Sequence, residues 1–449
     1  MRSNDLKNVH APHEILDLIG IGFGPANLAV ALVMAEQAEA GTGPRPKCAF
    51  LERRSTFAWH PGLMIEGARV QLSFMKDLVT LRNPRSRYTF LNYLKEKGRL
   101  DYFANLRNFS PTRVEFNDYY SWVAQDLERY ARYGREVVDV RAGASDGPVR
   151  HVVVTTQDIQ TKKVEEWRAR NLVVATGGVP RTPPGVEITT SRRVFHAHHT
   201  LQRVPGAFPD RNAPYRFVVV GSGQSAAEVF QYLYENYPRA SVVAALRRFA
   251  YKPADDSHFV NEIFFPEMVD YLYSISAKKR QKVLEMHRDT NYSCVDLDLI
   301  KEIYEKIYQN RIVGDTKVEI RPFLELKAAI DREDCTVLQF RHRVSEEVVA
   351  LEADGVVLAT GYERAKTHPL LKGLEPHLLH DDEGCYQVQR DYQVKTQETF
   401  LPKVYIQGFS ERTHGLSDTL LSVLPIRSME IYESLFLEGS AEEALETAS

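Results

Sequence analysis

Neither sign of charge dominates this chain. Its 449 residues carry 57 Lys and Arg against 60 Asp and Glu, a formal net charge of -3, so no global field gathers nucleic acid or an anionic membrane, and any basic function must be local. Cysteine is sparse. Cys48, Cys294, Cys335 and Cys385 lie far apart and form no CxxC pair, which indicates neither a zinc ribbon nor a disulfide framework and fits a reduced cytoplasmic setting. No uninterrupted apolar run approaches the roughly 20 residues that a membrane span requires, and the opening MRSNDLKNVHAPHE has no apolar h-region. No repeat of solenoid period is present. The 14 histidines show no ligand spacing, since His198 and His199 are adjacent rather than one helical turn apart, so no metal site is expected.

What the sequence does have is two glycine-rich turns. In LIGIGFGPANLAVALV the apolar run from Ile15 ends in Gly20, and helix-forming residues follow from Ala26, which reads as strand, turn, helix. Gly20 is expected to permit the tight turn, Gly22 to let the backbone approach a pyrophosphate at the helix N-terminus, and Gly24 and Pro25 to complete it. Proline suits the first turn of a helix, where its missing N–H costs nothing. The next apolar run, CAFLE, ends in Glu52, 30 residues beyond Gly22. This is later than the roughly 20 usual for the fingerprint, and the loop-like EQAEAGTGPRPK accounts for the delay. A carboxylate there suits a ribose diol and repels a 2′-phosphate, so the first turn predicts FAD or NAD rather than NADP.

The second turn lies in FVVVGSGQSAAEVFQYL, with Ser222, Gly223, Gln224 and Ser225 in the loop and alanine at the third glycine position. The strand after its helix ends in Arg247-Arg248 instead of an acid, and a guanidinium at that place matches a 2′-phosphate. A solvated basic pair is the alternative. Together the turns predict one flavin and one NADPH. ADGVVLATGYE, 353–363, parallels RNLVVATGG, 170–178, which predicts that the chain returns to its first unit after visiting the second. The expected fold is α/β with two Rossmann-like dinucleotide-binding domains, the second inserted in the first, plus a small, mainly helical substrate-binding region. The boundaries predicted are a flexible arm over 1–14, an FAD-binding domain over 15–205, and an NADPH-binding domain over 206–350 whose substrate-binding segment spans about 255–310. A return to the FAD-binding domain with active-site closure follows over 351–435, then a flexible tail over 436–449.

Several longer stretches carry a resemblance: GIGFGPANLA, FAWHPGLMIEGARVQLSFMKDLVTLRNPRSRYTFLNYL, VEFNDYYSWVA, GSGQSAAE, DDSHFVNEIFFP, TNYSCVD, LATGYE and THGLSDTLLSVLPIR. In these the chain resembles the flavin-dependent N-hydroxylating monooxygenases of siderophore biosynthesis, most of all their L-ornithine branch, from Ile15 to about Ser434. Matching motif to motif, the resemblance implies that Gly20 to Asn27, Glu52, Trp59 and His60 hold FAD, with Gln71 beside the isoalloxazine and Thr419, Leu420 and Leu421 closing over it. It places Ser222 to Ser225, Arg247 and Asn291 on NADPH, and Lys76, Asn261, Asn291 and Ser422 on the substrate. It further implies O2-dependent hydroxylation of the terminal amine of L-ornithine through a flavin hydroperoxide, protected by bound NADP+, in a cytoplasmic homo-oligomer, dimer or tetramer. The product is a hydroxamate precursor for a siderophore or related natural product. One departure stands after LATGYE: where the family often has His or Pro five residues past the tyrosine, this chain has Thr367, and His368 follows.

The residue chemistry agrees with these transfers. Lys76 sits in LSFMKDLVTL, where a buried amine needs a partner and an amino acid brings a carboxylate; a salt bridge to Asp77 is the plain alternative. Asn261 and Asn291 are neutral, and a carboxylate in their place would favour the protonated, non-nucleophilic amine; either could instead cap a helix. Trp59 could equally be a packed aromatic. Lysine or a diamine such as putrescine is the competing substrate, because one methylene is worth only about 1–3 kcal/mol of discrimination. A disulfide-type reductase lacks its CxxC. A Baeyer–Villiger or sulfur oxygenase leaves Lys76 and the two asparagines unexplained, and a non-catalytic nucleotide sensor would bind pyridine nucleotide without consuming oxygen.

Overall fold

The computed structural model describes residues 14–437, apart from 187, 189, 190, 256, 291 and 364. Its first sheet is built on the glycine-turn strand. Strand β1 (Ile15–Ile21) runs parallel to β2 (Cys48–Glu52) on one side and to β6 (Val164–Val174) on the other. All five β2 residues are buried, as expected for a parallel strand covered on both faces. The order is β3-β2-β1-β6-β5-β4, with β3 at Ala131–Tyr133, β4 at Arg135–Ala142 and β5 at Val152–Asp158. β6 is long enough to serve two partners along one edge. Its residues 164–169 pair antiparallel with β5, and Leu172–Val174 pair in parallel with β17 (Val404–Ile406).

The helix Pro25–Ala40 is buried continuously from Asn27 to Ala35. A helix apolar on all sides needs cover on all sides; here the sheet takes one face and the helix Leu424–Phe436 packs on another.

The second sheet is parallel throughout: β11 (Val318–Arg321), β10 (Ser241–Ala245), β9 (Arg216–Val220), β15 (Gly355–Leu358) and β8 (Val194–His196), in that order. Every one of these strands falls between β6 and β17 in sequence, so the second unit is an insertion in the first. An antiparallel meander of β12 (Leu324–Asp331), β13 (Thr336–His342) and β14 (Val348–Ala353) leads into β15. Two short strands, β7 (Val179–Pro180) and β16 (Tyr362–Glu363), pair antiparallel just beyond the ends of β6 and β15.

Two expectations need correction. The strand of ADGVVLATGYE does not return to the first sheet: β15 lies between β8 and β9, and the return is made by β17 at Val404. Likewise β8, expected within 15–205, belongs to the second sheet. The reason is that a short, fully buried parallel strand ending in a glycine loop looks the same in either sheet. Its composition reports burial on both faces and not which neighbours provide it.

The segment expected to be helical carries Pro266–Ser274, Ala277–Met286 and Leu297–Ile312, with short 3-10 turns at Val260–Phe264 and Arg288–Thr290. Among the described residues no helix is long and apolar enough to cross a membrane, and no group of three His, Cys, Asp or Glu is placed to hold a metal ion. All four cysteines are buried, and none is in a disulfide.

Candidate functional site

At the first turn the glycines divide the work differently from the expectation. Gly20 is part of β1 and is required by packing, since a Cβ there would lie 2.1 Å from a ring carbon of Phe50. The positive φ falls on Gly22, at +83°, where a Cβ would also meet the Ala175 carbonyl oxygen at 2.6 Å. Gly24 then caps the helix Pro25–Ala40 in extended conformation, with open space where its Cβ would be. A glycine turn with room at a helix N-terminus fits a pyrophosphate.

Glu52 holds this turn in shape. One carboxylate oxygen accepts from the Phe23 N–H at 2.9 Å and the other from the Arg54 N–H at 2.9 Å. A carboxylate has about four acceptor positions, so capacity for a ribose hydroxyl is left. Asn27 corrects another expectation: its fully buried amide donates to the Ile21 and Gly22 carbonyls at 3.2 and 2.7 Å and accepts from Gln407 at 3.0 Å. Its side chain braces the turn from inside.

The WHP segment joins the two units. Trp59 packs edge-on against Tyr120 at 5.5 Å and Phe116 at 6.4 Å, and its backbone N–H donates to the Asn117 side-chain oxygen at 2.9 Å. It is therefore at least the packed aromatic considered above. His60 takes a left-handed φ of 48°, uncommon for a residue with a Cβ. Its ring lies 6.2 Å from those of His198 and Tyr362, and His198 Nδ1 is 3.3 Å from the Tyr362 hydroxyl. Burial, followed by the field of His198, pushes His60 down to about 3, and burial pushes His198 to about 4. Both are neutral imidazoles at physiological pH.

The second turn has the same plan. Gly221, at φ +149°, faces the Ala359 carbonyl so closely that a Cβ would meet it at 2.3 Å, and Gly223 caps the helix Gln224–Asn236. Gly221–Ser225, Arg247 and Gln71 line one cavity of about 1090 Å³. The structure thus brings together the predicted NADPH residues Ser222, Gly223, Gln224, Ser225 and Arg247, and adds Gln71 from the first unit. The Gln71 amide donates to Gln224 at 3.2 Å, and the same Gln224 oxygen accepts from the Asp296 N–H at 2.8 Å.

Lys76, Asn261 and Ser422 do not line that cavity. Lys76 is half-buried, and burial lowers its pKa from the ordinary value. The salt bridge to Asp77 does not form: Asp77 instead accepts from the Val79, Thr80 and Phe90 N–H groups and the Thr80 hydroxyl. Among the described residues no carboxylate pairs with Lys76. Asn261 lies in the turn Val260–Phe264, which packs against Leu416–Thr419, so Asn261 and Thr419 belong to touching elements. Leu420 and Leu421 follow, partly buried, and Ser422 is buried. Asn291 lies outside the described residues, as do most of the predicted arm and tail. His368, displaced by one position from the family pattern, is buried with Nε2 2.8 Å from the Thr176 hydroxyl and its ring against Phe409, a packing role.

Two ion pairs escaped the sequence reading. Arg113 and Glu228 form a bidentate pair, both contacts 2.8 Å, and Arg113 also donates to the Leu63 carbonyl at 2.6 Å. Glu228 further accepts from Gln224 at 3.0 Å, so the second turn is tied through Gln224 to Gln71 and through Glu228 to Arg113. Arg427 pairs with Asp418 at 3.3 Å, both buried, and fixes the segment that carries Thr419–Ser422. The only signal for either was position inside the quoted motifs GSGQSAAE and THGLSDTLLSVLPIR.

Comparison with known proteins bears on the family and the fold. The sequence model of the L-lysine 6-monooxygenase/L-ornithine 5-monooxygenase family matches residues 14–364. An L-ornithine N(5)-monooxygenase of Pseudomonas aeruginosa is 39% identical over 433 residues, 96% of this chain and 96% of its own length. The solved structure of an ornithine N-hydroxylase from Kutzneria sp. 744, with reduced FAD, NADP+ and L-ornithine, superposes with a TM-score of 0.88 at 37% identity, covering 94% of this chain and 99% of that one. An L-lysine 6-monooxygenase from Pseudomonas syringae gives 0.83 at 32% identity, covering 94% and 99%.

Proposed function

This chain belongs to the L-lysine 6-monooxygenase/L-ornithine 5-monooxygenase family, and from that premise we propose that it is an L-ornithine N5-monooxygenase using FAD, NADPH and dioxygen. The observation that carries the amino-acid reading is Lys76. Its ammonium is half-buried, its neighbour Asp77 is committed to backbone N–H groups, and a desolvated cation of this kind calls for an anion. An α-carboxylate supplies it. A diamine does not, and its second ammonium would be repelled. The ornithine enzymes also resemble this chain more than the lysine enzyme does, at 37–39% identity against 32%.

In this reading the turn Gly20–Pro25 takes the FAD pyrophosphate, Glu52 the adenosine ribose, and Trp59, His60, Gln71 and Thr419–Leu421 surround the ring system. Ser222–Ser225 cradle the NADPH phosphates and Arg247 meets its 2′-phosphate. Bound there, the two cofactors supply the electrons and the dioxygen chemistry by which one oxygen atom reaches nitrogen. The chain's own residues bind and orient. Lys76 and Ser422 fix the α-amino-acid end, and Asn261, with Asn291, leaves the terminal amine neutral and able to act as a nucleophile.

The same reading makes the product a precursor of hydroxamate siderophores, sets the enzyme in the cytoplasm and makes it a homo-oligomer, dimer or tetramer. Supporting self-association, Leu297, Tyr304, Tyr308 and Ile312 form an exposed stripe along one face of the helix Leu297–Ile312; sedimentation of the holoenzyme tests it. The function itself is tested by mass analysis of products from purified protein given FAD, NADPH and, in turn, L-ornithine, L-lysine and putrescine. N-hydroxyornithine as the main product is expected. A preference for lysine or putrescine refutes the substrate, and NADPH binding without oxygen-dependent turnover with any of the three refutes the activity.

A further inference from the structure

The cavity that holds the second glycine turn has a wall that the predicted site leaves out. Besides Gly221–Ser225, the cavity is lined by Glu325, Leu326 and Lys327 of β12 and by the loop Arg181–Pro184. The end of β10 and the start of β12 are laced together: Leu246 N–H donates to Arg321 O at 2.9 Å, Leu324 N–H to Leu246 O at 2.7 Å, and Phe323 N–H to Arg248 O at 3.2 Å. Arg247, at the tip of β10, therefore shares its corner with residues that lie about eighty positions later. Lys327 sits at a β-bulge. Leu326 pairs with Phe340 and Ala328 with Gln339, so Lys327 has no residue opposite it, and a bulge is a device that re-aims a side chain. The backbone at Gly185, φ +80°, passes close to the bulge, since a Cβ there would lie 3.0 Å from the Lys327 carbonyl oxygen.

Within this corner the Lys327 ammonium is 3.0 Å from the Glu325 carboxylate, and neither side chain is fully buried. The hydrogen bond from Lys327 holds the Glu325 carboxyl below its ordinary value, helped by the charges of Lys327, Arg343 and Arg247. Lys327 thus bridges Glu325 while the charges of Arg343 and Arg247 also act on it, so that the cavity, whose lining balances Lys and Arg against Asp and Glu, is basic at this corner. Such a corner is suited to a dianion.

Resting on the reading of the second turn as the NADPH site, we propose that Lys327, aimed by its bulge and tethered by Glu325, is a second cationic contact for the 2′-phosphate beside Arg247. Coenzyme selection is then shared by two cations from two different sheets. Glu325 holds Lys327 in place until the phosphate arrives and, as a carboxylate near the ribose, limits the preference for the phosphorylated coenzyme.

The test is anaerobic flavin reduction by the FAD-loaded enzyme with NADPH or NADH, read as the ratio of their kcat/KM values for wild type and for Lys327→Met, Lys327→Arg, Glu325→Gln and Arg247→Ala. Lys327→Met should lower the NADPH-to-NADH ratio about tenfold, through KM for NADPH with kcat nearly unchanged, as for loss of a charge-assisted contact. Lys327→Arg should keep the ratio, and Glu325→Gln should raise it. A ratio within twofold of wild type for Lys327→Met, or a Glu325→Gln ratio that does not rise, overturns the inference while leaving the NADPH site in place. A wild-type enzyme with no preference for NADPH, or an unchanged ratio in Arg247→Ala, overturns the underlying reading of that site as well. Should Lys327→Met fail to retain FAD, the Glu325→Gln arm decides.

Discussion

Replacing Glu228 by alanine tests the junction between the two nucleotide units. Arg113 opens the helix Arg113–Asp126, a place where a cation opposes the helix dipole, so nothing local favours it. What holds it is tertiary: two 2.8 Å contacts to Glu228, whose side chain is 3% exposed against 12% for Arg113, and the Leu63 carbonyl at 2.6 Å. Deleting the carboxylate strands a nearly desolvated guanidinium with one neutral acceptor, and breaking a buried pair in this way costs about 3–5 kcal/mol. Arg113→Met with Glu228→Leu removes both charges and should cost much less than either single deletion, because neither charge is left unpaired. The assay is urea unfolding of the FAD-loaded protein for Arg113→Met, Glu228→Ala, Glu228→Leu and the double variant, closed as a double-mutant cycle. A functional readout accompanies it. Glu228 orients Gln224, which in turn accepts from Gln71 and Asp296, so KM for NADPH should rise in Glu228→Ala. A loss below about 1 kcal/mol would mean that the pair behaves like a solvated surface bridge, and additive single effects would mean that the two residues are uncoupled; either refutes the junction argument.

Three further outcomes follow from the site. Lys76→Ala should weaken ornithine turnover by at least about 2 kcal/mol, roughly 30-fold in kcat/KM, while FAD binding survives; intact hydroxylation, measured as product and not as NADPH oxidation, would remove the carboxylate from this lysine. FAD should restore activity to apoprotein and FMN should not, because the acceptor capacity that Glu52 keeps beyond its bonds to Phe23 and Arg54 suits an adenosine ribose, which FMN lacks; full activity with FMN alone would refute it. His196, His368 and His414 are buried and pushed down to about 4 by burial, so between about pH 6.5 and 4 the unfolded chain binds protons that the folded one excludes, and stability falls as pH falls. At pH 5.5 each should cost about 1.4 kcal/mol relative to neutral pH. Urea unfolding at pH 7.5 and 5.5 checks this, and His414→Gln should flatten the slope; an unchanged midpoint across that range refutes it.

How much was legible in the sequence differs from residue to residue. The two strand-turn-helix units were readable because their signals are local: an apolar run, glycines where the backbone must turn or be approached, then helix formers, all within about twenty residues. Gly22, Gly221 and Arg247 could be placed for the same reason, since each sits at a fixed offset from its own strand. Gly20 was read correctly as necessary and wrongly as a turn residue, because the requirement comes from the Phe50 ring on the neighbouring strand. Glu52 was expected to face a ribose, and its bonds to Phe23 and Arg54 lay beyond sequence reasoning. Asn27 was found as part of a motif, but only the packing shows that its amide points inward.

The sequence by itself determined the number of nucleotide turns, the class of fold and the chemistry offered at each turn, because these depend on residue type and short spacing. Tertiary structure decided which strand joined which sheet, since β15 and β6 share a pattern that reports burial and not partners. It also decided that Gln71 meets Gln224 across 153 residues, that Arg113 meets Glu228 across 115, and that Lys327 and Arg247 line one cavity. Long-range pairings of this kind leave no periodic trace. Any of many charged or amide side chains could fill either half of such a pair, and only the closing of the two sheets against each other selects the ones that meet.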